Sequence, residues 1–226
     1  MKPACKLWSK HHVGRKNMTS ARVVALIPAY SHIDWRLSRA LRRVGLPFIE
    51  INGCSDLVRA RSQLLADGLK TDAERFLFID ADMAPSADQI VALAESEKVT
   101  PTDAVTGLYR GRPSKLAVQC EEPFEPRGPR RFVPFLVAGM GFAAVHRETL
   151  ETVRSTIPEV RDGDGNPWHP FFLPVVVNFE QDGQELHQYL PEDYSFWWRL
   201  RTGSEVNLWL DTHLCIGHVK QEILMP

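Results

Sequence analysis

A mixed, mostly parallel β-sheet flanked by helices, in one α/β domain, is the fold this sequence predicts. Three observations predict it. Between residues 22 and 95, short apolar β-branched runs alternate with segments of helical apolar period, as parallel strands joined by helical crossovers do. Beyond residue 104 strand-like runs predominate, which makes the second half of the sheet mixed. The 226 residues, 44% hydrophobic and 24% charged, suit a soluble domain with a sizeable core, and no apolar run approaches the roughly 20 residues that span a bilayer.

RVVALIP (22–28), β-branched and closed by proline, reads as a buried strand. A helix over about 34–44 and a second strand, PFIEI (47–51), follow. SDLVRARSQLLADGL (55–69) opens on Ser55, a good N-cap, and keeps a helical apolar spacing. RFLFI (75–79) is a third buried strand, and a helix runs from about Ser86 to Glu95. Each crossover is expected to be right-handed. AVTGLY (104–109), KLAVQC (115–120) and FVPFLVAG (132–139) read as strands, with the proline-rich EEPFEPRGPRR (121–131) as a surface loop. A short helix near 147–154, a turn-rich segment at 161–170, a helix in PEDYSFWWRLR (191–201) and closing strands over 206–218 complete the domain.

The net charge of −1 conceals an asymmetry. Six basic residues (Lys2, Lys6, Lys10, Arg15, Lys16 and Arg22) precede the first acidic one, Asp34, so the remainder carries 21 basic and 28 acidic side chains, a net of −7. Residues 1–21 read as a basic arm, for which a solvated mobile segment is the simpler expectation and a hold on nucleic acid or an anionic surface the alternative. The first twenty residues contain no apolar signal core. Cys5, Cys54, Cys120 and Cys215 are scattered without zinc spacing, so reduced thiols in a cytoplasmic protein are expected.

The chemistry begins at FLFIDADMAP (76–85), where a buried strand ends in Asp80 and Asp82. Ligands of open α/β sheets collect at the carboxyl ends of strands. Two carboxylates there need hydrogen-bond donors or a hard divalent cation, and such a cation would in turn hold a diphosphate. On a helical wheel of 55–69, Leu57, Val58, Ala60, Leu64, Leu65 and Leu69 fill one arc with Arg61 at its middle. A guanidinium on a buried face must meet an anion, either a core carboxylate such as Asp80 or a bound nucleotide. In the later helix Asp193 shares a face with Phe196 and Leu200, with Glu192 to one side. Both carboxylates suit a positive helix N-terminus, and one held against apolar side chains also suits a general base.

Taken in order, these segments resemble a GT-A-fold, nucleotide-sugar-dependent glycosyltransferase, of the family-two-like kind with a DxD motif. ALIPAY (25–30) is similar to its first-strand nucleotide site and LVRARSQLLADGL to its "ARN" helix, with Ser62 in place of the asparagine. FLFIDAD resembles the DxD strand, VAGMGFAAVHRETL (137–150) the acceptor-side segment, PEDYSFWWRL the "ED" helix, and CIGHVK (215–220) the late histidine. The resemblance implies a nucleotide-binding half over about 22–110 and an acceptor half over about 111–220. It implies Pro28, Ala29, Tyr30, Arg61, Asp80 and Asp82 at a UDP- or GDP-sugar donor, and Gly139, Met140, Gly141 and Trp168 on the acceptor side. Asp82, with Asp80 and His218, would hold Mn²⁺ or Mg²⁺, and Asp193, with Glu192 as its understudy, would be the base in an inverting hexosyl transfer. The acceptor is left open, a nucleic acid included.

Two other readings compete. A nucleotidyltransferase would normally carry a glycine- and lysine-rich loop after the first strand, and PAYSHIDWR is not one. A non-catalytic sugar- or nucleic-acid-binding module need not keep both carboxylate pairs. DGDGNPWHPFFL (162–173) starts like a calcium loop but has Pro167 and Leu173 where glycine and glutamate are required, and no GxxxxGK[ST] occurs. Tyr194, Phe196, Trp197 and Trp198 could stack on a sugar, although core packing is the simpler role.

Overall fold

All three crossovers of the first half are present in the computed structural model, which describes residues 8–12, 22–110, 116–161, 164–181 and 184–219. Strand β2 (Val23–Ala29) leads into α1 (Trp35–Val44), β3 (Phe48–Asn52) into α2 (Leu57–Leu69), and β4 (Arg75–Ile79) through the two-residue β5 (Met83–Ala84) into α3 (Ala87–Ala94). Local chemistry sets the helix ends. Asp34 caps α1 and Gly45 closes it in the left-handed conformation that favours glycine. Ser86 and Gln89 form a reciprocal capping box on α3. The cap of α2 is Asp56, one residue later than the expected Ser55, because its carboxylate accepts the Arg59 N–H.

The second half supplies β6 (Asp103–Leu108), β7 (Val118–Cys120), β8 (Phe132–Ala138), β9 (Phe142–His146), α4 (Arg147–Thr156), β10 (Val160–Arg161) and β11 (Pro167–Trp168). It continues with β12 (Val175–Gln181), β13 (Gln184–Leu190), α5 (Glu192–Ser204), β14 (Asn207–Cys215) and β15 (Gly217–His218). One nine-stranded sheet runs in the order β1-β3-β2-β4-β9-β6-β14-β8-β7, where β1 is Trp8–His12. Strands β3, β2, β4, β6 and β14 share one direction, whereas β1, β9 and β8 oppose it. The α/β class, the mixed and mostly parallel sheet and the single domain are therefore as expected.

Three elements are additions. Residues 8–12 of the basic arm pair antiparallel with β3 as an edge strand, so this part of the arm is built into the sheet. β9 inserts antiparallel between β4 and β6, where FAAVH reads in sequence as the approach to a helix. β12 and β13 form a separate two-stranded hairpin. Its signal was Asp182-Gly183 between two runs of strand-forming residues. Residues 111–115, Asp162 and Gly163 lie outside the described residues, as do Cys5 and most of the basic arm. Cys120 and Cys215 are free thiols. Among the described residues no helix is long and apolar enough to cross a membrane.

The sheet has a core on each face. One contains α2, α4 and α5, the other α1 and α3. Phe172 and Phe196 stack 4.4 Å apart beneath the edge of Phe78, and Trp197 meets Phe135 edge-on at 5.1 Å. Phe196 and Trp197 are thus core residues.

Arg147, at the start of α4, ties the two halves. It donates to the carbonyls of Leu69, Thr71 and Ala73 at 3.1, 2.7 and 2.6 Å, capping the chain that leaves α2. Its guanidinium also lies 5.4 Å over the Phe76 ring. At about 1 kcal/mol per hydrogen bond, Arg147→Ala is expected to cost about 3 kcal/mol in urea unfolding. Arg147→Lys should recover about a third, since an ammonium is a point charge without the planar fork.

Candidate active site

Parallel strands deliver their carboxyl ends to one edge of the sheet, and antiparallel β9 begins there. Tyr30 after β2, Asp80 after β4, Tyr109 after β6, Gly141 before β9 and His218 beyond β14 consequently share that edge. A turn keeps Asp80 and Asp82 in place. The Met83 N–H donates to the Asp80 carbonyl at 3.0 Å, and the Asp80 N–H to the Gly141 carbonyl at 3.0 Å.

Arg61 organises one side of the site. Its side chain is 4% exposed, and Nη2 donates to both Asp80 oxygens at 2.8 and 2.9 Å while Nη1 reaches Glu192 Oε1 at 3.3 Å. The cation expected on the buried face of α2 therefore meets carboxylates, one of them 131 positions away in sequence. Burial alone would lower the guanidinium's pKa, but the charges of Asp80, Asp193 and Glu192 outweigh it and hold Arg61 above its ordinary value. Asp193, half-buried beside them, accepts the Tyr194 N–H at 2.8 Å. Burial first, and repulsion from Glu192 second, push its carboxyl up to about 6 against the pull of Arg61.

Asp82 and His218 form the other side. β15 pairs with β5, placing His218 opposite Met83, and the Val219 N–H donates to the Asp82 carbonyl at 2.8 Å. His218 Nδ1 lies 2.9 Å from the Arg110 carbonyl, which can only accept, so Nδ1 carries the hydrogen. In the neutral ring Nε2 then presents a lone pair to Asp82 Oδ2, 2.9 Å away. Two acceptors aimed at one point require a proton or a cation between them. Imidazole fixed through Nδ1–H to a carbonyl, with a carboxylate alongside, is a donor set that fits a divalent metal. Asp80, expected to share that metal, has both oxygens on Arg61, which leaves Asp82 and His218 as the available ligands. Among the described residues no third such side chain converges on them.

A cavity of about 400 Å³ opens beside these groups. Pro28, Ala29 and Tyr30 line it, together with Ser31, His32, Asp34, Cys54, Ser55, Asp80 and Asp82. The residues of the turn after β3, Cys54 and Ser55, and those leading to the α1 cap lack a sequence motif and were not foreseen. Nor was Tyr109, which accepts the Gly141 N–H at 2.8 Å and meets the His218 ring edge-on at 6.1 Å. Burial, then the nearby Asp80 charge, hold its phenol far above the ordinary value, so it stays neutral. A Cβ at Gly139 would collide with the Tyr109 hydroxyl and one at Gly141 with the Met83 methyl, close against the same ring, so these small residues admit side chains rather than open space. Met140 is buried in the core. Trp168 is half-buried opposite Val160 and is not among the residues lining the cavity.

No family model and no curated protein matches the sequence. Solved structures do align with the chain. GalNAc-T7 with UDP, GalNAc and Mn²⁺ aligns over 90% of this chain and 45% of its own at 10% identity and a TM-score of 0.48. A glycosyltransferase involved in glycosylation of the major capsid of PBCV-1 aligns over 57% and 62% at 13% identity and a TM-score of 0.34. A197 from STIV aligns over 89% of this chain and 87% of its own at 17% identity, and its TM-score of 0.59 shows that the two chains are similar in fold over nearly their whole length.

Proposed function

We propose that the protein is a metal-dependent glycosyltransferase that moves a sugar from a nucleoside-diphosphate sugar to a hydroxyl acceptor with inversion. One observation carries this reading. The two carboxylate pairs and the late histidine, scattered over 139 positions from Asp80 to His218, gather at one sheet edge beside a cavity of nucleotide size. Pro28, Ala29 and Tyr30 would receive the nucleoside. Asp82 and His218 would hold Mn²⁺ or Mg²⁺, which when bound neutralises the diphosphate leaving group. Arg61 fixes Asp80 toward the donor and Glu192 toward the acceptor side. Asp193, close to neutral in its proton affinity, would take the acceptor hydroxyl proton. The pair at 80 and 82 thus divides its work, Asp80 in the arginine cluster and Asp82 at the metal.

Calorimetric titration of UDP and GDP, each with and without Mn²⁺, tests the donor side. Binding of one diphosphate is expected to tighten at least about tenfold with Mn²⁺ in the intact protein and to lose that dependence in Asp82→Ala and His218→Ala. Equal affinity with and without the metal would overturn the assignment of these two ligands.

A further inference from the structure

A second cavity, of about 370 Å³, lies between α4, α5 and the segment that joins β11 to β12. Ile157, Leu173 and Trp198 give it apolar walls, and Arg199 places a guanidinium in them. Arg199 lies six residues after Asp193 on α5, about 240° around the helix, so this cavity is on a different face from the carboxylates.

Arg199 differs from every other half-buried or buried arginine described above. Its Nη1 donates to the Phe171 carbonyl at 3.2 Å, and among the described residues it has no other hydrogen bond and no carboxylate partner. Arg61, by contrast, has two carboxylates, and Arg147 has three carbonyls and Glu151. A partly buried cation without a counter-charge is costly unless a ligand supplies one. Burial accordingly lowers its pKa, with no opposing charge.

We propose that this cavity binds a small carboxylate with an apolar body, the carboxylate taken bidentately by the Nε–H and Nη2–H edge of Arg199. The remaining polar groups exclude a more highly charged anion. Thr156 and Thr202 also line the cavity, but their hydroxyl hydrogens are donated to the Val153 and Trp198 carbonyls at 2.8 Å each. One planar fork matches a carboxylate's two oxygens, whereas a phosphate dianion would need further donors. The apolar walls select the body of the ligand and the guanidinium its head.

The proposal is independent of the donor site, so it is tested without nucleotide or metal. Hexanoate and benzoate are titrated against hexanol, benzyl alcohol and inorganic phosphate, with the indole N–H signals followed by NMR. The acids are expected to shift the Trp198 signal and to bind about ten- to a hundredfold more tightly than the alcohols. Arg199→Gln should erase that difference, and Arg199→Lys should restore part of it. Equal binding of acids and alcohols overturns the role of Arg199, and phosphate binding as tightly as the acids overturns the carboxylate assignment. Absence of any binding at 10 mM, on the order of the weakest useful affinity, overturns the site itself. The acid–alcohol comparison uses the unmodified protein, so it stands even if Arg199→Gln fails to fold.

Discussion

Asp193→Asn is expected to lower turnover about a thousandfold while leaving nucleotide affinity within about twofold, the signature of a lost general base. Asparagine keeps the shape and can still accept the Tyr194 N–H, so the start of α5 should persist. The expectation has two pH signatures. With the carboxyl at about 6, kcat/KM of the unmodified enzyme should rise as pH passes through that value, because below it the base already holds its proton. Glu192→Gln removes the neighbouring negative charge and should move the midpoint downward. Stability runs the other way. A carboxyl raised on folding binds its proton more tightly in the folded state, so its favourable contribution is complete at acid pH and lost as pH rises from the ordinary range to about 6. Asp193→Asn should therefore be more stable than the parent at pH 7 and lose that advantage near pH 4. Unchanged turnover would remove Asp193 from the chemistry; a parallel loss of nucleotide binding would make it structural.

Arg61→Leu should have the largest effect on stability. Three carboxylates, Asp80, Glu192 and Asp193, lie around this guanidinium, and removing it leaves them facing one another at the sheet edge. Breaking such a buried arrangement costs about 3 to 5 kcal/mol, or a fall in Tm of roughly 10 °C for a domain of this size. The loss should shrink as pH falls below about 6, where Asp193 takes up its proton and one of the three charges is gone. Arg61→Lys keeps the charge but cannot span Asp80 and Glu192 together, so it should fall between the two. Urea unfolding at pH 7.5 and pH 5 reads all three expectations. A loss under about 1 kcal/mol at both values would mean that water, not Arg61, satisfies the cluster.

Much of this site was legible in sequence because its residues violate their surroundings. Arg61 interrupts an apolar helical stripe, and Asp80 and Asp82 end an apolar strand; such conflicts demand a partner, and the partner is there. The apolar runs of β2, β4 and β6 were equally plain, since strands covered on both faces have little alternation to confuse. What escaped lacks any local conflict. FAAVH is small and apolar in a stretch that enters a helix, and its antiparallel place beside β4 is decided by pairing with residues some 65 positions away. Tyr109 ends an ordinary strand, and nothing near it in sequence announces Gly139 and Gly141. Asp80 and His218 show a third limit: spacing indicates which side chains meet, but not that Arg61 takes both oxygens of one aspartate and leaves the other to the histidine.

The position of β9 also governs when the protein can exist during its own synthesis. A nascent chain of 110 residues contains β4 and β6 but not the strand that lies between them, so the middle of the sheet cannot close. Asp82 must wait for a partner made 136 residues later. The two halves are consequently not exchangeable modules. A gene fragment ending near residue 110 should yield a chain with an open central edge that recruits other chains, and recombination within the domain should be tolerated least where the polypeptide crosses back to β9.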